Sequence, residues 1–213
     1  MADLRSQLYD MRAWLNAIIS DARTEMVKID EVIATLGPAP MTRVRFDSPV
    51  GTDADRAAGK LWPGDWFDAT GYATLRPNGD YHTGVDLNRP SFKDTGEIVH
   101  ACADGIVRFS GQLSEWGYVV IVEHLLEDQT QRWSRYGHLN GNQPMAVPGA
   151  TVQRGDYLAV IGDYGKIGPQ DDHVHFDIAK KNLAETPGDW PGKDKTRVLR
   201  DYEDPRAFVA DRH

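Results

Sequence analysis

The stretch that decides the fold is residues 105–136, GIVRFSGQLSEWGYVVIVEHLLEDQTQRWSRY. It holds three runs rich in β-branched and aromatic residues, at 105–110, 118–123 and 132–136, separated by polar or glycine-containing turns. Further runs of this kind occupy 98–101, 157–161 and 174–178. Several short strands at this spacing are typical of antiparallel sheets. The sequence therefore predicts a mainly β fold, a compact antiparallel β-sheet domain.

Composition narrows the class of protein. The chain has 213 residues, 40% of them apolar, which is enough for one hydrophobic core and an accessory segment. No run of about 18 apolar residues occurs, so no membrane span is expected. The net charge of −8 argues against nucleic acid as a partner. The start, Met1-Ala-Asp-Leu-Arg5, lacks a basic segment followed by an apolar one, so no signal peptide is predicted.

Residues 1–36 are predicted to form one long amphipathic N-terminal helix. Apolar residues recur at heptad a/d spacing, and Gly37-Pro38 supplies the stop; the stripe is Leu4, Leu8, Met11, Leu15, Ile18, Ala22, Ile29, Val32 and Leu36. An isolated helix of this kind is marginal in water, so the stripe must meet another surface. Two interpretations stay open: it packs against the parent domain, or it forms a coiled coil in a homodimer or with a partner.

The rest of the chain divides into three predicted segments. Residues 37–70 form a loop-rich connector that begins with the stiff Gly37-Pro-Ala-Pro40. Residues 71–183 form the β domain. Residues 184–213 are polar and rich in Gly, Pro and Asp. They are predicted to be a mostly irregular tail packed on the domain, with a helical turn near 205–209.

Three short histidine signatures carry the candidate chemistry. His173 and His175 alternate along a predicted strand and so share one face, about 7 Å apart. His82 and Asp86 would lie roughly 13 Å apart on a straight strand, but Gly84 between them can adopt angles that bend the chain. His138 follows a strand, in Tyr136-Gly-His-Leu139. Taken alone, each signature fits a structural role, such as a solvated strand face or a capped turn, better than a chemical one.

Together, the signatures indicate hydrolytic metal chemistry. Two neutral imidazoles and one carboxylate form a common catalytic zinc shell that leaves one position open. Two further histidines near the metal could transfer a proton and stabilise a developing oxyanion. This combination suits the hydrolysis of a peptide bond.

The motifs His82-x-Gly-x-Asp86, His138-Leu139 and His173-x-His175-Phe176 occur in an order that resembles the lysostaphin/LytM-type zinc endopeptidases. The resemblance runs from about residue 46 to 178. It implies the family's compact β-domain of duplicated-hybrid-motif type, with an open groove. It also implies one Zn²⁺ per chain held by His82, Asp86 and His175, with His138 and His173 as catalytic histidines. Tyr72 and Tyr81 are both candidates for a tyrosine that assists the oxyanion.

The implied function is hydrolysis of peptide bonds in the stem or cross-bridge peptides of bacterial peptidoglycan. The alternative is a LytM-like module without catalysis that binds cell wall or regulates an amidase. The implied place of action is extracellular or the cell envelope; without a signal peptide, cytoplasmic accumulation and release at lysis is the other interpretation. The loop Gly162-Asp-Tyr-Gly-Lys-Ile-Gly-Pro169 departs from the family pattern, which leaves substrate preference open.

Three further residue groups have competing interpretations. His124 is expected to make structural hydrogen bonds, and Cys102, the only cysteine, is expected to be a small buried filler. The tryptophans Trp62, Trp66 and Trp116 are expected in core contacts more than as the lining of a groove.

Overall fold

The computed structural model describes residues 43–90, 94–163 and 172–213, with scattered positions between 8 and 28. The chain divides into two compact units, Met1–Thr42 and Arg43–His213. Most of residues 1–36 lies outside the described residues, so the predicted helix, its heptad stripe and the homodimer stay predictions. In the described part of the chain, no helix has the length and apolarity needed to cross a bilayer.

The second unit is built on antiparallel strands, which confirms the mainly β class. Its elements in chain order are α1 (Asp53–Arg56), β1 (Phe67–Thr70), β2 (Val85–Asn88), β3 (Ile98–His100), β4 (Gly105–Leu113), β5 (Gly117–Leu125), β6 (Gln131–Leu139), β7 (Thr151–Val152), β8 (Tyr157–Val160), β9 (Val174–Ala179), α2 (Lys195–Asp201) and α3 (Pro205–Asp211). Seven strands form one antiparallel sheet in the order β1-β2-β9-β6-β5-β4-β7, and β3 pairs with β8. All six predicted strand runs are strands; β1, β2 and β7 are short additions that the sequence pattern did not indicate.

Both faces of the large sheet are covered, which explains why β5 is an apolar run without polar alternation. Val120 and Val122 belong to the main core cluster on one face. Val119 and Ile121 belong to a second cluster that includes Leu183 and Tyr202 from the C-terminal segment. The tail is therefore the cover of one sheet face, as strand faces buried on both sides require.

The tail contains more helix than expected. Asp194 caps the N-terminus of α2, and its side chain accepts a hydrogen bond from the Arg197 amide. α3 begins at Asp204, whose side chain accepts from two amides, with Pro205 in the first turn. Asp at the cap and Pro at the first position are strong helix starts, and they outweigh the polar, proline-rich composition on which the prediction of irregular chain was based.

His124 has a structural role, as predicted. It is fully buried in β5, with Nδ1 2.8 Å from the Asp104 carbonyl and Nε2 2.7 Å from Ser134 Oγ. Cys102 is fully buried beside it. Burial lowers the pKa of His124 to about 4, against the partial compensation of its bond to the Asp104 carbonyl.

This lowered pKa predicts an acid-labile fold. Because the unfolded chain takes up a proton near pH 6.5 and folded His124 only near pH 4, stability is full above pH 6.5 and falls between these values. Between pH 7.5 and pH 4.5, the free energy of unfolding of the metal-free wild type, measured in urea, should fall by about 2–3 kcal/mol more than that of His124→Gln. Equal losses in both proteins would show that His124 is not the titrating group.

Candidate metal centre

Three predicted ligands converge on one point of the large sheet. His82 Nε2 lies 2.9 Å from His175 Nδ1, and Asp86 Oδ1 lies 3.1 Å from each of these nitrogens. All three side chains are buried, and together they form a group able to hold a metal ion. His175 is about ninety positions away from His82 and Asp86 in the sequence, yet the three side chains meet in a triangle with edges near 3 Å.

Strand register creates this triangle. Asp86 in β2 pairs directly with His175 in β9, and His175 pairs on its other side with Gly137 in β6. His82 precedes β2, and its backbone is held by hydrogen bonds with Thr74 and Ala73 on the preceding segment. The ladder therefore fixes two ligands directly and the short loop before β2 brings in the third.

Gly84 has a different role from the one predicted. It is not among the residues with left-handed backbone angles. A Cβ atom there would instead lie 2.1 Å from the Phe176 carbonyl oxygen and 2.6 Å from Asp177 Cβ. Glycine is required because the chain between His82 and Asp86 passes against the backbone of β9.

Gly84→Ala should consequently separate β2 from β9 and pull the ligands apart. We expect the free energy of unfolding to fall by about 1–3 kcal/mol, the usual cost of overpacking, together with weaker zinc binding. Chemical denaturation and competition with a chromophoric chelator measure the two effects. Gly111→Ala is the matched control, since a Cβ there meets only the Phe109 ring at 3.4 Å. Unchanged zinc affinity in Gly84→Ala would contradict this account.

The hydrogen bonds of the two histidine rings fit a bound cation. His82 Nδ1 faces the Gly71 carbonyl at 3.2 Å and His175 Nε2 faces Asp177 Oδ2 at 3.0 Å. Carbonyl and carboxylate oxygens only accept, so both ring nitrogens must donate, which leaves His82 Nε2 and His175 Nδ1 as lone pairs when the rings are neutral. Two lone pairs and a carboxylate oxygen then face one another, an arrangement that needs a proton or a cation between them.

The donor set also fits zinc. Ligands at the usual zinc distances of 2.0–2.1 Å in a tetrahedral site would be about 3.3 Å apart, close to the separations of these three atoms. Burial would raise the pKa of Asp86, but the neighbouring His82 and His173 hold it well below its usual range, so the carboxylate is charged. His₂Asp is a set that zinc accepts readily.

A buried ion pair supports His175 from behind. Asp177 Oδ2, which accepts from His175, also accepts from Thr83 Oγ1 at 2.7 Å and from the Arg135 guanidinium directly across the β6–β9 ladder. Arg135 in turn lies 3.7 Å from the centre of the Trp116 ring. The supporting pair of Asp177 and Arg135 was not predicted from the sequence. Asp177 continues the alternation of His173 and His175, and that spacing could have revealed it.

Asp177→Asn should weaken zinc binding by about 10–100-fold, because a neutral amide orients the imidazole of His175 less well than a carboxylate. The unpaired charge of Arg135 should also lower the stability. Zinc affinity by competition titration and unfolding by urea separate the two losses. Asp47→Asn is the matched control: Asp47 is buried and paired with Arg154, and it lies outside the metal group. A variant that keeps wild-type zinc affinity would exclude this positioning role.

The two predicted catalytic histidines lie beside the triangle. The ring centres of His138 and His173 are 4.7 Å apart, and His173 Nε2 is 3.5 Å from Asp86 Oδ1. Burial, with the charges of His173 and His175, lowers the pKa of His138 well below its usual range. His138 has a φ of 62°, in the left-handed region that non-glycine residues rarely occupy. Such strain is characteristic of residues held for function.

A cavity of about 280 Å³ opens onto this group. Two of its walls are Trp116 and Trp190, whose ring centres are 5.2 Å apart. Trp116 thus lines the groove, whereas Trp62 and Trp66 line a different cavity beside Arg206. Trp190 was missed because it belongs to the tail, whose packing the local sequence does not specify. Residues 164–171, which contain most of the divergent loop, lie outside the described residues.

The two candidate tyrosines differ in position. The Tyr72 hydroxyl donates to the Tyr202 and Val198 carbonyls, at 3.0 and 3.3 Å, near the end of α2. Tyr81 lies with its ring 5.4 Å from Lys195 Nζ. The assignment of an oxyanion tyrosine stays a prediction.

Comparison of the chain with known protein families identifies its class. The model of Peptidase family M23 matches residues 80–187, half of the chain, a range that contains all five site residues. The chain belongs to this family.

Individual relatives share parts of the chain. The Escherichia coli murein hydrolase activator EnvC is 34% identical over 99 residues, which cover 46% of this chain and 22% of EnvC. The structure of CbpA from L. salivarius has a TM-score of 0.51 at 18% identity and covers 78% of this chain and 95% of that one. The solution structure of lysostaphin, a Staphylococcus simulans protein, has a TM-score of 0.50 at 20% identity over 68% of this chain and 51% of lysostaphin. These two structures show a shared fold.

Proposed function

We propose that this protein is a zinc-dependent endopeptidase that hydrolyses peptide bonds in the stem or cross-bridge peptides of bacterial peptidoglycan. The observation that carries the proposal is the triangle of His82, Asp86 and His175. In it, the second ring nitrogen of each imidazole faces an acceptor to which its N–H can donate. Two further histidines stand beside it in an open cavity. Membership of a peptidase family supports the reaction class, and the family's action on cell wall supports the envelope as the place of action.

In this proposal, His82, Asp86 and His175 hold one zinc ion. When bound, zinc supplies Lewis-acid activation of water and of the scissile carbonyl. Trp116 and Trp190, which pack edge to face, form one aromatic wall beside the peptide. The lowered pKa of His138 keeps its imidazole uncharged, so one ring nitrogen has a lone pair and the other an N–H toward the reacting groups. His138 and His173 together serve proton transfer to the leaving amine and hydrogen bonding to the developing oxyanion.

The test combines zinc content with digestion of purified peptidoglycan. Wild-type protein should contain about one zinc per chain and release fragments whose new termini mass spectrometry identifies. His82→Ala should hold under about 0.2 zinc per chain and release nothing. His100→Ala is the matched control, because His100 bonds the Gly155 carbonyl at 2.8 Å and lies outside the metal group. Release of the same fragments by zinc-free His82→Ala would discredit the proposal.

A second arm separates metal binding from proton transfer. His138→Ala and His173→Ala should keep their zinc and lose about 10²–10⁴-fold in turnover, the usual contribution of a positioned acid or base. Full turnover in both variants would remove these histidines from the mechanism.

Activation of a separate wall hydrolase is the second candidate function, favoured by the similarity to EnvC, which is named as an activator. This function would not need a loaded metal site. The presence of all five site residues favours the peptidase. Stimulation of a purified amidase by His82→Ala protein, without hydrolysis by the wild type, would favour the activator.

A further inference from the structure

The Arg76 guanidinium stands at the edge of the candidate metal centre. Arg76 is exposed and lines the same cavity as His138 and His175. Its Cζ atom lies 5.7 Å from the centre of the Trp190 ring, so the cation packs against that aromatic wall. Among the described residues, no carboxylate forms an ion pair with Arg76 within 4.0 Å.

The two carboxylates that line the same cavity leave the Arg76 guanidinium able to bind a ligand. Asp80 lines the cavity, but its Oδ2 already accepts from Asn78 Nδ2 at 3.1 Å and from Trp190 Nε1 at 3.3 Å. Glu115 also lines the cavity and has interactions of its own. Arg76 therefore keeps donors that can face a molecule in the groove.

The backbone beneath Arg76 is rigid. The Arg76 carbonyl accepts from the Gly79 amide at 2.9 Å, and the Arg76 amide donates to the Asp80 carbonyl at 2.8 Å. Pro77-Asn78-Gly79 supplies the residues that a tight turn of this kind requires. The hairpin is tied to the tail by a hydrogen bond from the Tyr81 amide to the Gly192 carbonyl. Trp190 and this turn thus preorganise the guanidinium, which reduces the entropy lost on binding.

Building on the proposed peptidase function, we propose that Arg76 binds a carboxylate of the substrate and makes the enzyme selective for peptides that carry a free carboxylate near the scissile bond. A guanidinium offers paired N–H donors that match a carboxylate in bidentate geometry. Because the whole chain carries a net charge of −8, an anionic peptide needs a local cation to enter the groove. The carboxylate belongs either to the peptide's C-terminus or to a side chain.

The test uses zinc-loaded full-length protein and synthetic peptides that contain the bond identified by digestion. Each peptide is made in matched pairs, with the terminal or the side-chain carboxylate either free or amidated. The values of kcat and KM are measured for wild type, Arg76→Ala and Arg76→Lys. Arg206→Ala is the matched control, since Arg206 is an exposed arginine stacked 5.1 Å from the Trp62 ring in another cavity.

Wild type should prefer the free carboxylate of one pair by about tenfold in kcat/KM, the lower range for charged hydrogen bonds. The pair that shows the preference identifies the source of the carboxylate. Arg76→Ala should lose the preference through KM with its zinc content unchanged, Arg76→Lys should keep part of it, and Arg206→Ala all of it. Persistence of the preference in Arg76→Ala, or its absence in wild type, would overturn the assignment.

Calorimetric binding of the same peptides separates this proposal from the peptidase proposal. Binding that favours the free carboxylate and depends on Arg76, without cleavage, would support Arg76 and reject the endopeptidase. Cleavage without any carboxylate preference would reject only the role of Arg76.

Discussion

The pairing of β2 with β9 is the constraint on which the candidate centre depends. It places Asp86 opposite His175, and the next pairing places His175 opposite Gly137, one residue before His138. A slip of one residue would turn Asp86 or His175 to the other face of the sheet. The close passage of Gly84 over the Phe176 carbonyl and the Arg135–Asp177 pair across β6 and β9 are both compatible with this register. Fold and site are thus specified by the same hydrogen-bond ladder.

The sequence was sufficient to predict the strands with strong apolar runs. β4 and β5 follow from their β-branched residues and β6 from its aromatic residues Trp133 and Tyr136, types that are enriched in strands. β1 and β2, at 67–70 and 85–88, are four-residue strands with charged or polar members. The pairing of β2 with β9 and of β1 with β2, rather than local propensity, determines them. In the tail, the predicted helical turn near 205–209 lies within α3, whereas α2 was missed because only Val198 and Leu199 of its seven residues are apolar. Strength of the local pattern therefore separates the predicted elements from the missed ones.

The candidate site was predictable where residue type alone indicates chemistry. The five histidine and aspartate positions stood out because the chain has only seven histidines and the three motifs that hold four of them follow one another in a recognisable order. Their supports did not stand out. Arg135 resembles any charged strand residue until the structure shows it fully buried and facing Asp177. Trp190 is held close to the metal group by long-range hydrogen bonds, among them those that Arg135 and Trp116 donate to the carbonyls of residues 187–189. Such long-range contacts leave no local pattern in the sequence.

The limits of the family match divide the residues that line the groove into two groups. The matched range, 80–187, contains every member of the histidine and aspartate group, but it ends immediately before the segment that carries Trp190 and begins after Arg76. The groove therefore joins a metal group inside the range that the family model describes to two lining residues, Arg76 and Trp190, that lie outside it. In such an arrangement, substitutions at the two lining residues can alter the choice of substrate without touching the reactive centre.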